Sequence, residues 1–165
     1  MLEQLEVQAR DRGLILRIQV KRPVGLWNMR VVVAHPIGKN RLQLLGEMKG
    51  WAYSSAKGLQ LDTMRVMPSR LTGIGDLIWA ATMAWALDTT PCKRARLLAI
   101  RDDERQHRRL RRYFRKRGFN TVREIEAAPL DLPLRMFWGG AGALMTGEIA
   151  TVLQRSVRGW NQSAA

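Results

Sequence analysis

The sequence contains very few of the side chains that bind metals or act as nucleophiles. Its 165 residues include one cysteine, Cys92, and two histidines, His35 and His107. A lone thiol forms no disulfide within the chain, which favours a reducing compartment. Three such residues are also too few for an ordinary zinc site. We therefore expect no metal, and we interpret Cys92 as an inert thiol rather than a catalytic one.

Long apolar runs are missing as well. The most apolar segment, residues 77–87, lies between Asp76 and Asp88 and is much shorter than the roughly 20 residues that a membrane-spanning helix needs. Residues 1–11 are polar and of mixed charge, so they lack the apolar stretch of a signal peptide. These two absences predict a cytoplasmic protein in which the apolar segment forms a buried helix.

Acidic residues are scarce relative to basic ones. The chain has 28 Lys and Arg against 14 Asp and Glu, which gives a formal net charge of +14. A positive excess of this size attracts polyanions, which include nucleic acid, an anionic membrane surface, an acidic protein and phosphorylated ligands. Charge alone neither distinguishes among these partners nor indicates a fold.

Many of the basic residues lie on one predicted helix that ends before Gly118. A solvated helix face normally mixes charges of both signs, whereas this one is almost wholly basic, which favours a phosphate-bearing partner. The candidate contacts are Arg108, Arg109, Arg111, Arg112, Arg115 and Lys116. The six tryptophans are scattered along the chain, which gives no support to specific recognition of single-stranded nucleic acid.

Hydrophobic periodicity predicts strands first and then alternating helices and strands, in one domain that spans residues 1–165. The predicted strands are residues 14–20, 30–34, 41–53, 59–67, 95–100, 121–125 and 134–138. The predicted helices are residues 76–87, 102–117 and 148–158, with 1–11 as a further short helix. This order is typical of an α/β or α+β domain with a mixed sheet. We expect the glycines of 139–142 and the tail at 159–165 to be flexible.

A glycine loop joins the fourth predicted strand to the apolar helix, with the sequence Pro68-Ser-Arg-Leu-Thr-Gly-Ile-Gly75. The start of a helix offers free N–H groups, and glycines let that backbone approach a phosphate. No Gly-Lys-Ser/Thr ending and no third glycine are present, which excludes a Walker loop and the dinucleotide pattern. The loop therefore predicts a pyrophosphate site, and the alternative is a strand–helix turn without a ligand.

The sequence Arg70-x-x-Gly73-x-Gly75 resembles the Arg/Gln-x-x-Gly-x-Gly/Ala motif of the GNAT N-acetyltransferase superfamily. It follows Val66-Met-Pro, and a later Phe114-x-x-x-Gly-Phe119 resembles the Tyr-x-x-x-Gly-Phe ending found in that family. The similarity covers about residues 58–125. It implies a mixed, mostly antiparallel sheet flanked by helices, with acetyl-CoA as the cofactor.

The resemblance also implies a role for each matching position. The loop residues would hold the CoA pyrophosphate, and these are Arg70, Leu71, Thr72, Gly73, Ile74 and Gly75. The strand residues Met64, Arg65 and Val66 would pair with the pantetheine arm, and the Val66 N–H would stabilise the oxyanion. The gap between that strand and residues 95–100 would admit the cofactor. Tyr113 and His107 are the candidate acids, and Asp62 and Glu47 the candidate bases.

Two departures from the family pattern matter. Phe114 occupies the position of the family tyrosine, and Tyr113 lies one residue earlier, about 100° around the helix. Only residues 21–29 separate the first two strands, so the two helices that the family has there must be shortened or missing.

Three functions stay open at this point. The first is an acetyl-CoA-dependent N-acetyltransferase that acts on a primary amine of a protein or small molecule. The second is a module of the same fold that has lost catalysis and acts as a basic binding or assembly factor for an acidic protein, nucleic acid or anionic membrane surface. The third is a nucleic-acid-binding protein with no relation to CoA.

Overall fold

The computed structural model describes residues 1–100, 103–125 and 142–164, and these ranges contain seven strands and four α-helices. The strands are β1 Ile15–Lys21, β2 Trp27–Gly38, β3 Arg41–Ala52, β4 Leu59–Val66, β5 Arg94–Ile100, β6 Phe119–Ile125 and β7 Gly142–Glu148. The helices are α1 Leu2–Asp11, α2 Ile74–Thr89, α3 Glu104–Arg117 and α4 Ile149–Gln162. The predicted class, a mixed sheet with flanking helices, is confirmed.

The strands form one sheet in the order β1-β2-β3-β4-β5-β7-β6. Every neighbouring pair is antiparallel except β4 and β5, which are parallel. That parallel pair has only two matched positions, Leu59 with Ala95 and Gln60 with Arg96. Beyond them the two strands diverge, and a wedge-shaped gap opens in the middle of the sheet.

The core is organised around α2, which is buried on nearly all sides. Its residues 77–86 are all buried, because they pack between the sheet and α4. The approach to β3 is so close that a Cβ added at Gly46 would lie 2.6 Å from Ile78 Cδ1 and 2.9 Å from the Arg65 carbonyl oxygen. Within the described ranges, no helix is long and apolar enough to cross a membrane.

The connection between β1 and β2 contains no α-helix. The chain turns through a short 3-10 segment at Pro23–Gly25 and enters β2 at Trp27. The two helices that the family resemblance would place here are therefore missing, as the length of the segment predicts. β2 also extends to Gly38, beyond the predicted end at residue 34, because Pro36 and Gly38 still pair with β3 across a register shift.

The C-terminal part differs most from the sequence prediction. The strand predicted at 134–138 lies outside the described residues. Of the glycines predicted to be flexible, those at 139–140 also lie outside the described residues, whereas Gly142 begins β7, a strand that was not predicted and that inserts between β5 and β6. The tail predicted from residue 159 is wrong, because α4 continues to Gln162 and buries Trp160. The Trp160 indole donates to Gln8 at 2.9 Å, and the Arg12 guanidinium stacks 3.6 Å over its ring.

The contact between β3 and α2 yields a stability prediction. Gly46→Ala is expected to lower the free energy of unfolding by about 1–3 kcal/mol, because the new methyl group would overlap Ile78 and a backbone carbonyl. Gly38→Ala is the matched control, since its Cβ would meet nothing closer than Arg41 at 4.0 Å. Urea unfolding of both variants measures the difference, and equal stabilities would contradict the close approach.

Candidate cofactor and catalytic site

The gap between β4 and β5 is lined by side chains from five elements, including Met48 of β3. β4 and β5 form its two sides, while Trp79 of α2 and Phe114 of α3 close it from the helical layer. The lining residues are Met48, Leu61, Asp62, Thr63, Met64, Trp79, Leu97, Leu98 and Phe114. Beyond Gln60 the backbone of β4 has no partner strand on its β5 side, so its N–H and C=O groups there are available to an extended ligand.

A bulge in β4 places a carboxylate at this gap. Lys49 of β3 pairs with Thr63, and Gly50 pairs with Leu61, so Asp62 is the extra residue between them. A bulge bends its strand and re-aims the side chain of the extra residue. Asp62 is exposed, and of the described residues that line the gap it is the one carboxylate.

The N-terminal end of α2 is an uncapped helix start. Gly73 precedes the helix with φ 78°, a left-handed conformation that favours glycine. Among the described residues, no side chain accepts a hydrogen bond from the first N–H groups of α2. Such donors, together with the partial positive charge of the helix end, form a favourable position for an anion. Arg70 is exposed on the loop that leads to them.

Two side chains of α3 lie beside this helix start. A Cβ placed on Gly75 would be 3.7 Å from Tyr113 Oη and 3.8 Å from an Arg117 guanidinium nitrogen. Tyr113 Oη accepts a hydrogen bond from Trp79 Nε1 at 2.9 Å, which leaves the phenol proton to be donated elsewhere. Arg117 bonds Asp76 at 2.7 Å and so neutralises the acid of the first helical turn. The helix start thus has two donor side chains beside it, and Met64 Cε of β4 would lie 3.8 Å from the same Cβ.

Tyr113 and Phe114 occupy different parts of the site. Phe114 lines the gap and packs edge-on against Trp79, with ring centroids 6.1 Å apart. The Tyr113 hydroxyl lies at the start of α2 instead. At the position where the family resemblance would place a tyrosine as proton donor, the gap therefore has the phenyl ring of Phe114, which has no hydroxyl.

Glu47 is held by two arginines away from the gap. Its side chain is 3% exposed, and it lies 2.7 Å from Arg30 Nη2 and 2.6 Å from Arg65 Nη2. The hydrogen bonds from Arg30 and Arg65 lower the pKa of Glu47, and they outweigh the opposing effect of burial. The next residue, Met48, contacts Thr82 of α2, so Glu47 faces the side of the sheet opposite the helices. A carboxylate held ionised in this way is a weak base.

The remaining predicted residues separate into two groups. Met64 lines the gap, and Val66 is exposed at the end of β4. Arg65 is paired with Glu47 on the opposite side of the sheet. His107 is buried at 2% exposure within α3 and is not among the described residues that line the gap. The structure thus brings Asp62 and Met64 together and leaves Glu47 and His107 apart from them.

Sequence reasoning missed the C-terminal support of the glycine loop. The Thr72 hydroxyl donates to the Ser163 carbonyl at 3.3 Å, and Arg12 donates to Ser163 Oγ at 3.1 Å. A Cβ on Gly73 would overlap Ser163 Oγ, so the end of α4 packs directly on the loop. These partners lie 91 and 151 positions apart in the sequence, and no local pattern could have indicated them.

The strand order, the diverging parallel pair and the glycine loop that leads into a buried helix together define a GNAT-like acetyltransferase fold. No protein-family model matches the sequence, and no curated protein does. Among solved structures, nourseothricin acetyltransferase matches with a TM-score of 0.53 at 13% identity, over 83% of this chain and 88% of that chain. This likeness supports the fold.

Two further solved structures match less well. An uncharacterized protein from Bacillus halodurans has a TM-score of 0.48 at 15% identity, over 82% of this chain and 66% of that chain. The aminoglycoside 6'-N-acetyltransferase from Enterococcus faecium has a TM-score of 0.46 at 15% identity, over 73% of each chain.

The ion pairs of Glu47 predict a pH-dependent stability. Glu47→Gln is expected to lower the free energy of unfolding near pH 7 by about 1–3 kcal/mol, the usual range for hydrogen bonds to charged groups. The pKa of Glu47 is lower in the folded protein than in the unfolded chain. The stability that its ion pairs contribute is therefore fully present at pH values above the ordinary carboxyl pKa, and it is lost as the pH falls towards the folded-state pKa. Urea unfolding between about pH 7 and pH 3 should therefore show the two proteins converging in stability.

A control and a contrary outcome complete this test. Glu148→Gln removes an exposed carboxylate that lies 3.5 Å from Arg94, and it is expected to change stability by less than about 0.5 kcal/mol. A difference between wild type and Glu47→Gln that stays constant from neutral to acidic pH would contradict the ion-paired state.

Proposed function

We propose that the protein is an acetyl-CoA-dependent N-acetyltransferase that acts on a primary amine of a protein or small molecule. The observation that carries the proposal is the uncapped start of α2 beside the gap between β4 and β5. Nourseothricin acetyltransferase, which has a similar fold, is an acetyltransferase by name. Acetyl-CoA would supply the acetyl group as a thioester.

The residues around the start of α2 fit a diphosphate. Backbone N–H groups from Thr72 to Gly75 would supply neutral donors, and Arg70 a forked cation; the Leu71 N–H already donates to Ser69 Oγ at 3.0 Å. The Tyr113 hydroxyl and the Arg117 guanidinium lie beside Gly75. The acid of that turn, Asp76, is already paired with Arg117, so its charge does not oppose an anion.

The unpaired edge of β4 fits an extended amide-containing arm. Residues 61–66 present backbone groups towards the gap, as an edge strand does to an added strand. The Val66 N–H, at the end of this edge, would donate to the oxygen that becomes negatively charged as the amine attacks. Asp62, exposed at the gap, would accept the proton that the amine loses.

Phe114 leaves the described lining of the gap without a phenolic hydroxyl to protonate the leaving thiolate. In this proposal Tyr113 binds the cofactor at the helix start and does not act as the acid. The thiolate then receives its proton from solvent or from the protonated Asp62, which makes this step slower than with a placed tyrosine.

A second function is favoured by two observations. The phenylalanine in the gap and the missing helices between β1 and β2 both remove parts that the family resemblance associates with catalysis and acceptor binding. The second candidate is accordingly a module that binds CoA but does not catalyse, and that acts as a basic binding or assembly factor.

Gly75→Val tests the diphosphate assignment. The new side chain would occupy the space above the first N–H groups of α2, while its Cβ would meet its neighbours only at ordinary contact distances of 3.7–3.8 Å. We expect the fold to persist and acetyl-CoA binding, measured by calorimetry, to weaken at least about tenfold, because fewer N–H groups can reach the phosphates.

The control and the outcomes of this experiment separate the two functions. Gly38→Val lies on the open turn between β2 and β3 and should bind like wild type. Failure of the wild type to bind acetyl-CoA would overturn the proposal. Binding without turnover on a panel of primary amines would instead support the non-catalytic module.

Phe114→Tyr tests the missing proton donor. The added hydroxyl should raise kcat by about tenfold or more, which is below the roughly hundredfold that a well-placed general acid contributes, and leave KM for acetyl-CoA nearly unchanged. Tyr113→Phe should instead raise that KM, because it removes a donor at the helix start. Thiol release measured across pH distinguishes the two. A large fall in kcat for Tyr113→Phe at constant KM would show that Tyr113 is the acid after all.

A further inference from the structure

The eight basic residues of α3 divide into two with structural partners and six without. Arg111 bonds Glu124 at 3.0 Å and Thr121 at 3.2 Å, and Arg117 bonds Asp76 at 2.7 Å. Arg111, a candidate partner contact by sequence, is therefore engaged inside the protein. The other six are exposed and have no ion pair with an acidic side chain in the part of the chain that the structure describes. These six are Arg105, Arg108, Arg109, Arg112, Arg115 and Lys116.

These six residues, which we name the cationic face, occupy one side of the helix. At about 100° per residue they fall within an arc of roughly 120°. The opposite side contains the buried or half-buried His107 and Phe114, which face the sheet. Along one row, Arg105, Arg109 and Arg112 follow each other at a rise of about 4.5–6 Å. The cationic face is thus a dense, one-sided row of charges.

Among the described residues, no acidic side chain accounts for this row. The ends of α3 are fixed by other groups, since Asp103 accepts from the Gln106 N–H and Gly118 adopts a left-handed conformation. Cations in the last turn are favoured by the helix dipole, but Arg105 and Arg109 are far from it and repel each other across one turn. An external anion would relieve that repulsion.

The cationic face continues into a cleft of about 320 Å³ at the C-terminal end of α3. Arg115 lines this cleft together with Arg94 of β5 and Arg155 of α4. Arg155 is held in place because its Nη1 donates to the carbonyls of Arg115 and Lys116 at 3.2 and 3.0 Å. Glu148 also lines the cleft and lies 3.5 Å from Arg94, so the positive surface continues from α3 mainly to Arg155 of α4.

We propose that the cationic face binds the phosphodiester backbone of a nucleic-acid duplex without reading its sequence. A duplex presents one negative charge per about 1.7 Å of its axis, which suits a dense row of forked guanidinium donors. Such contacts position a protein on a duplex and carry no base information. The inference does not depend on the proposed acetyltransferase activity.

The chemistry of the face argues against the other polyanions. A helix that lies on a membrane inserts a broad apolar face into the lipid beside its basic row. On α3 only Leu110 and Tyr113 are exposed apolar side chains, at 37% and 36%, and Phe114 is turned towards the sheet. A protein interface needs aromatic or aliphatic residues at its centre, and the cationic face contains none. The 3′-phosphate of CoA requires one or two cations rather than six.

The test measures salt-dependent binding of a labelled duplex of about 20 base pairs by fluorescence anisotropy. For about six phosphate contacts, the slope of log K against log salt should be near −5. The variant R105Q/R108Q/R109Q/R112Q should reduce the magnitude of that slope by about 3–4 and weaken binding at low salt at least about tenfold. The control R10Q/K21Q/K39Q/R41Q removes the same charge from exposed residues elsewhere and should change both quantities little.

Each remaining outcome has a definite meaning. The quadruple variant of α3 is expected to melt at or above the wild-type temperature, because glutamine favours helices and the repulsion between the arginines is removed. Such a melting temperature shows that the variant loses binding without losing its fold. Equal losses in both variants would reduce the effect to net charge and overturn the proposal. The proposal would also be overturned if saturating CoA displaced the duplex, or if the protein bound phosphatidylserine vesicles and did not bind the duplex.

Discussion

The candidate site depends on where β4 and β5 separate. Two parallel strands normally continue their hydrogen bonds, but here pairing ends after Leu59–Ala95 and Gln60–Arg96. The bulge at Asp62 bends β4 immediately afterwards, and Trp79 and Phe114 pack against the gap from the helical layer. A strand edge that opens in this way leaves backbone groups that must bond to water or to a ligand.

The burial of α2 fixes the second half of the site. Because Gly46 lets the helix approach the sheet so closely, the start of α2 is held at a defined position relative to the end of β4. Arg117 then joins three parts of the molecule, since it bonds Asp76, lies 4.7 Å from the centroid of the Tyr113 ring and contacts Ser156 of α4. Rigid support of this kind lets the N–H groups of a helix start bind a ligand without reorganising.

Local signals allowed the strand–loop–helix unit to be predicted, because turn residues and hydrophobic periodicity are properties of neighbouring positions. The C-terminal part was predicted poorly because its structure depends on distant partners, such as Gln8 for the Trp160 indole.

Arg111 shows a different limit of prediction from the sequence. Charge grouped it with its neighbours, and its phase on the helix, about 40° from both His107 and Arg115, lies between the buried side and the basic side. The pairing of Glu47 with Arg65 depends on strand register, which the sequence does not specify uniquely.

The two departures from the family pattern concern different parts of the proposed function. Phe114 would change how the leaving group is protonated, and the short β1–β2 connection would change what an acceptor can contact. Neither alters the uncapped N–H groups at the start of α2 or the unpaired edge of β4. The features that the proposal assigns to cofactor binding are therefore kept, whereas those that it assigns to catalysis are reduced. Since α3 presents Tyr113 to the start of α2 and a basic arc to solvent, the two proposed binding surfaces use different residues of one helix.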